Sequence, residues 1–111
     1  MRQSHTAIIE RNIAWQGAFE TEPYEAAWAS EAIFFVRTLD VVGRLDDVTV
    51  RVQISPDGIR WCDEGTVVSL SDQVDGVTFG KVSHFGTFLR LVGELPEGVT
   101  VTVIVALSLK E

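Results

Sequence analysis

The segment Val48-Thr-Val-Arg-Val-Gln-Ile-Ser-Pro-Asp-Gly-Ile-Arg-Trp61 constrains the backbone more than any other part of the chain. Val48, Val50, Val52 and Ile54 alternate with Thr49, Arg51 and Gln53. Successive side chains of a strand point to opposite faces, so this pattern is a strand with one dry and one wet face. Ser55-Pro56-Asp57-Gly58 then reverses the chain. Pro56 presets φ for a first corner, and Gly58 can take the left-handed φ of the bulge after it. Ile59 and Trp61 read as the start of the return strand.

Strand signals recur along the rest of the chain. Residues 6–15 read as a first strand, with Ala7, Ile9, Ile13 and Trp15 on one parity and Arg11 out of phase. Residues 17–23 suit a loop. Residues 24–31 have some helical propensity over only about two turns, which is marginal, so an irregular or extended passage is expected. Residues 33–42 form a strand that is apolar on both parities, the mark of a strand covered on both faces or carrying a bulge. Its presumed core side is Phe35, Leu39 and Val41, which leaves Phe34 and Val36 opposite. Further strands are read at 65–70, 77–82 and 87–95, the last with Leu89, Leu91 and Leu95 in phase. The final strand, 99–109, puts Val99, Val101, Val103, Val105, Leu107 and Leu109 on one face. Turn signals every eight to twelve residues, with no convincing helix, predict an antiparallel, jelly-roll-like sandwich of about eight strands. With 111 residues, a single domain over 1–111 is expected.

Composition narrows the function classes. The chain is 46% hydrophobic, too apolar for disorder, and carries a formal charge of −7. An acidic surface is repelled by phosphate backbones and by anionic membranes, so neither nucleic acid nor membrane is an expected partner. Cys62 is the only cysteine, so no intrachain disulfide can form, and a reducing compartment is favoured. Met1-Arg-Gln-Ser-His-Thr is not an apolar leader, so no signal peptide is expected. A cytoplasmic setting is expected.

Catalytic parts are scarce. His5, His84 and Cys62 lack the paired spacing of a zinc site. Asp46, Asp47, Asp57, Asp63, Glu64, Asp72 and Asp75 lie in or near predicted turns, where calcium ligands occur, but Asp also caps turns on its own account. Cys62 follows Trp61 in a predicted strand and reads as a packed, inert thiol. No nucleophile elbow and no phosphate loop is present. No catalytic residue, metal or cofactor is therefore expected, and the chain reads as a non-enzyme. Trp15 and Trp61 are in phase with apolar neighbours and read as core. Trp28 lies outside any pattern and is the best candidate for exposure. Tyr24, Trp28 and Trp61 could alternatively form a sugar-stacking platform.

From about residue 33 to 110 the chain resembles small β-sandwich proteins of tailed phages and prophages. The resemblance rests on Phe34-Phe-Val-Arg-Thr-Leu-Asp-Val-Val followed by Gly43, on the hairpin ending Ser55-Pro-Asp-Gly-Ile-Arg-Trp61, on Phe88-Leu-Arg-Leu-Val92, and on the Thr/Val-alternating last strand. It implies a virion decoration or accessory subunit, often trimeric, with no catalytic residues. Similar hairpins also occur in discoidin-like and other carbohydrate-binding sandwiches, which keeps the sugar-binding alternative open. Phe34, Val36, Ile104 and Ala106 lie on parities opposite the presumed core and carry few charges, since Thr100, Thr102 and Ser108 are the other members of the last strand's second face. Together with Trp28 they are the expected interface, and a homo-oligomer, with a trimer implied by the resemblance, or docking on a larger protein shell is expected.

Overall fold

Among the described residues nine strands nest inside one another like a long hairpin folded on itself. The computed structural model describes residues 3–111; the leader reading begins on residues 1–2, outside the described residues. The strands are β1 (Ser4–Trp15), β2 (Ala18–Glu20), β3 (Tyr24–Glu25), β4 (Glu31–Val42), β5 (Thr49–Ser55), β6 (Cys62–Ser69), β7 (Val77–Ser83), β8 (Phe88–Glu94) and β9 (Thr100–Lys110). β1 pairs with β9, β2 and β3 with β8, β4 with β7, and β5 with β6, all antiparallel. Two further ladders, β4 with β9 and β5 with β8, close the nested pairs into two sheets. Their orders are β1-β9-β4-β7 and β2-β8-β5-β6, with β3 also on β8. This is the jelly-roll order, as the sequence predicted.

The ninth strand comes from 17–23, read as a loop. β2 and β3 together make one interrupted edge strand on β8. The interruption holds Pro23, which cannot donate to a ladder. Thr21 repairs it: its N–H donates to Leu91 O, and its Oγ1 accepts from the Leu91 N–H, both at 2.9 Å. A side-chain oxygen thus replaces a missing carbonyl, and Thr21 is buried.

The core lies between the sheets. In β9 the odd residues from Val101 to Leu109 are fully buried, and Thr102, Ile104, Ala106 and Ser108 are half-buried. Val50, Val52, Leu89 and Leu91 face them from the second sheet, fully buried, with Ile54 partly buried beside them. Trp15 and Phe19 flank Gly17 and stack at 4.1 Å with 12° between rings. Gly80 of β7 is placed so that a Cβ would lie 2.7 Å from Val68 Cγ2 and 3.1 Å from Thr66 Cγ2. Its missing side chain lets β6 lean over β7 and closes that side of the sandwich.

Irregularities set which residues face inward. β1 slips register between Ile8 and Glu10 and again between Glu10 and Ile13, and Asn12 has φ 55°. Arg11, the residue out of phase in the sequence, lies inside this double bulge. β4 carries a bulge between Thr38 and Asp40, one of the two alternatives its pattern left open. Ahead of it the phase is the reverse of the one presumed. Ala32, Phe34, Val36 and Thr38 are buried, and Phe35 is on the outer side. The register decides this, since Phe34 pairs with Leu107 and Val36 with Val105, both inward residues of β9.

The β5–β6 turn is longer than two residues. Gly58 has φ 77°, the left-handed conformation read from the sequence. The return strand begins at Cys62, not Ile59, which is exposed. Side chains knit the loop: Ser55 Oγ accepts from the N–H of Asp57 and of Gly58, and Asp57 Oδ1 accepts from the N–H of Ile59 and of Arg60.

Candidate functional site

The outer face of the first sheet is apolar across its whole width. Cross-strand register lines up Ile8, Ala106, Phe35 and Phe79, one residue from each of the four strands. One row towards the C-terminal end of β9 lie Thr6, Ser108, Ile33 and Lys81, and one row the other way lie Ile104, Arg37 and Val77. Ile8 is 44% exposed, Val77 56% and Phe79 58%, while Ile33, Phe35, Ile104 and Ala106 are half-buried by their neighbours. The Phe35 and Phe79 rings meet at 6.2 Å, tilted 43°. The solvated face of an antiparallel sheet is normally polar, so a continuous apolar row four strands wide is out of the ordinary for a surface. Charges border the row: Arg37, bonded to Asp75 at 2.7 Å, stands between Ile104 and Val77, Lys81 beside Ile33, and Lys110 and Glu31 one row beyond.

Two of the residues expected in an interface are not there. Phe34 and Val36 are fully buried in the core, because the β4–β9 register turns that parity inward. Phe35 and Ile33 occupy the outer face in their place. Ile104 and Ala106 are on the outer face, where the alternation of β9 put them. Trp28 is 40% exposed, in the turn between β3 and β4 and away from the sheet. Phe79, Val77 and Ile8 were missed. Their strands were legible, but which side of β7 and β1 is wet follows only from pairing.

The three rings of the sugar-platform reading do not assemble. Tyr24 packs against the core from β3. Trp61 is half-buried rather than core: its phase breaks in the loop before Cys62, and the Arg90 guanidinium covers its ring at 4.1 Å. Among the described residues the close ring pairs are Trp15–Phe19 and Phe35–Phe79. Cys62 is exposed at the start of edge strand β6, not packed as read, with its Sγ 3.7 Å from Ile54 O. His5 is in β1 opposite Leu109, and His84 is in the loop after β7.

The outer face of the second sheet is different in kind. It holds a shallow trough of about 680 Å³ lined by Glu20, Thr49, Arg51, Gln53, Arg90 and Glu94 over Val92 and Gly93. Its polar groups bind one another. Arg90 reaches Glu20 at 2.8 Å and the Gln53 amide oxygen at 2.9 Å, and Gln53 donates on to Asp63 at 2.9 Å. Arg51 stands 3.8 Å from Asp63. Arg90, Gln53 and Glu20 are thus held to one another across the trough.

Among the described residues one titratable group is clearly shifted. Asp57 is held at about 2, below its usual 3.8, by the N–H groups of Arg60 and Ile59 first, and by Ser55 and the Arg60 side chain after them. It sits in the hairpin loop, where its oxygens are engaged in shaping the turn. Among the described residues no three of His, Cys, Asp and Glu converge as a metal site. No helix there is long and apolar enough to cross a membrane.

Comparison with protein-family models finds no match, and comparison with curated proteins finds none either. Among solved structures the chain is similar to the crystal structure of the SPBc2 prophage-derived protein YomS, with a TM-score of 0.60 at 10% identity. The match covers 100% of this chain and 96% of that one. The same fold is therefore built from a largely different sequence, and what the two share is the packing of strands.

Proposed function

We propose that this protein is a non-enzymatic interaction module that assembles with copies of itself and serves as a virion decoration or accessory subunit of a tailed phage or prophage. The observation that carries the assembly part is the apolar row Ile8–Ala106–Phe35–Phe79 on an outward sheet face. Aromatic anchors in a flat apolar patch are what protein interfaces use, and water gains by their burial. The phage setting rests on the sequence resemblance, and the prophage origin of YomS is in keeping with it. Protein, rather than nucleic acid or membrane, is the partner that suits a chain of net charge −7.

Sedimentation velocity of the purified chain from about 1 to 100 μM tests the assembly reading. An oligomer that dissociates on dilution is the expected result. A monomer over the whole range removes the support for self-assembly. The virion part is tested separately, by looking for the chain in purified particles from a lysogen that encodes it; absence from the particles refutes it.

A further inference from the structure

We infer that the outer face of the β1-β9-β4-β7 sheet packs against the same face of a second copy about a twofold axis, so that the assembled unit is a dimer. This rests on the self-assembly reading above and names the surface and the symmetry.

Size is the first argument. The four strands hold twelve, eleven, twelve and seven residues. At about 3.4 Å per residue and about 4.8 Å between strands, the face measures roughly 35 by 19 Å, or about 700 Å². Specific, stable interfaces bury about 600–1,000 Å² on each partner, so one face against another is enough. Two sheets packed this way lie about 10 Å apart with interleaved side chains, and Phe35, Phe79, Ile33 and Ile8 are the side chains that would interleave.

Charge is the second argument. The chain is strongly acidic, but this face is close to neutral: Arg37, Lys81 and Lys110 stand against Glu31, Asp40 and the Asp75 that Arg37 binds. Two copies that meet here keep their acidic regions apart.

Symmetry is the third. A cyclic trimer needs two different, complementary patches on every copy. The second sheet's outer face offers Glu20, Arg51, Arg90 and Glu94 in place of an apolar partner patch. One flat apolar face is covered completely only by another flat face parallel to it, and a twofold axis achieves this with a single kind of contact. The symmetry inferred is therefore not the trimer that the sequence resemblance implies.

The test is light scattering on the eluting full chain, for the native sequence, Phe79→Lys and Val67→Lys. Phe79 is on the proposed face, and Val67 is a comparably exposed valine, 56%, on β6 of the other sheet. The expected result is a dimer for the native chain and for Val67→Lys, and a dissociation constant raised at least 100-fold for Phe79→Lys, with its circular dichroism unchanged. Should Phe79→Lys fail to fold, Ile8→Lys on edge strand β1 makes the same test. A trimer, or a native dimer that survives both lysine substitutions, overturns the surface and the symmetry while self-assembly stands. A native monomer overturns both.

Discussion

Phe34 and Phe35 are neighbours in sequence with opposite fates, and replacing each by alanine measures which way β4 faces. Phe34 is fully buried, opposite Leu107 and inside the core. Truncating a buried phenylalanine removes its transfer energy and leaves a cavity, at a cost of about 3–5 kcal/mol. Phe35 is half-buried on the outer face, where its main partner is the Phe79 ring at 6.2 Å. Losing such a ring pair costs about 0.5–1.5 kcal/mol. Urea unfolding reads the difference directly. With a slope of about 1.5 kcal/mol per molar, Phe34→Ala lowers the midpoint by roughly 2–3 M and Phe35→Ala by under 1 M. The measurement belongs at low micromolar concentration, where association adds little to stability. If Phe34→Ala leaves too little folded protein, Phe34→Leu against Phe35→Leu carries the comparison, the larger loss falling on the buried position where a cavity is left. Equal midpoints for the two alanine variants, or a larger loss for Phe35→Ala, would mean that the β4–β9 register has been assigned one residue out.

Three further outcomes follow from the same packing. Gly58→Val places a β-branched residue at φ 77° and costs roughly 1–2 kcal/mol, read as a lower melting temperature; no change would mean that the turn relaxes to another conformation. Gly80→Ala pushes a methyl to within 2.7 Å of Val68 Cγ2, at a cost of about 1–3 kcal/mol, and combining it with Val68→Ala should cost less than the sum of the two, whereas strict additivity would deny the contact. Asp57 is depressed from 3.8 to about 2, so its contribution is fully present above about pH 5 and is lost as the pH falls towards 2; the stability gap between the native chain and Asp57→Asn should narrow over that window, and a gap independent of pH would show that the loop does not favour the carboxylate.

The candidate surface was only half legible in the sequence. β9 announces its two faces by alternation, so Ile104 and Ala106 were assigned outward, and outward they are. β4 is apolar on both parities, and nothing local distinguishes Phe34 from Phe35. Trp61 had a misleading phase, since alternation was carried through a loop whose six residues, 56–61, are not in a strand.

What the sequence determined by itself was most of the strands, the hairpin at Gly58 and the sandwich class. Each of these depends on side-chain alternation or on the φ preference of one residue, and both are local properties. Only the tertiary structure decided which parity of β4 is core, that Thr21 splices β2 to β3, and that Ile8, Ala106, Phe35 and Phe79 form one row. Those outcomes are fixed by hydrogen-bond register between strands far apart in the chain, and a register slip of one residue exchanges the two faces of a strand without changing a single local preference.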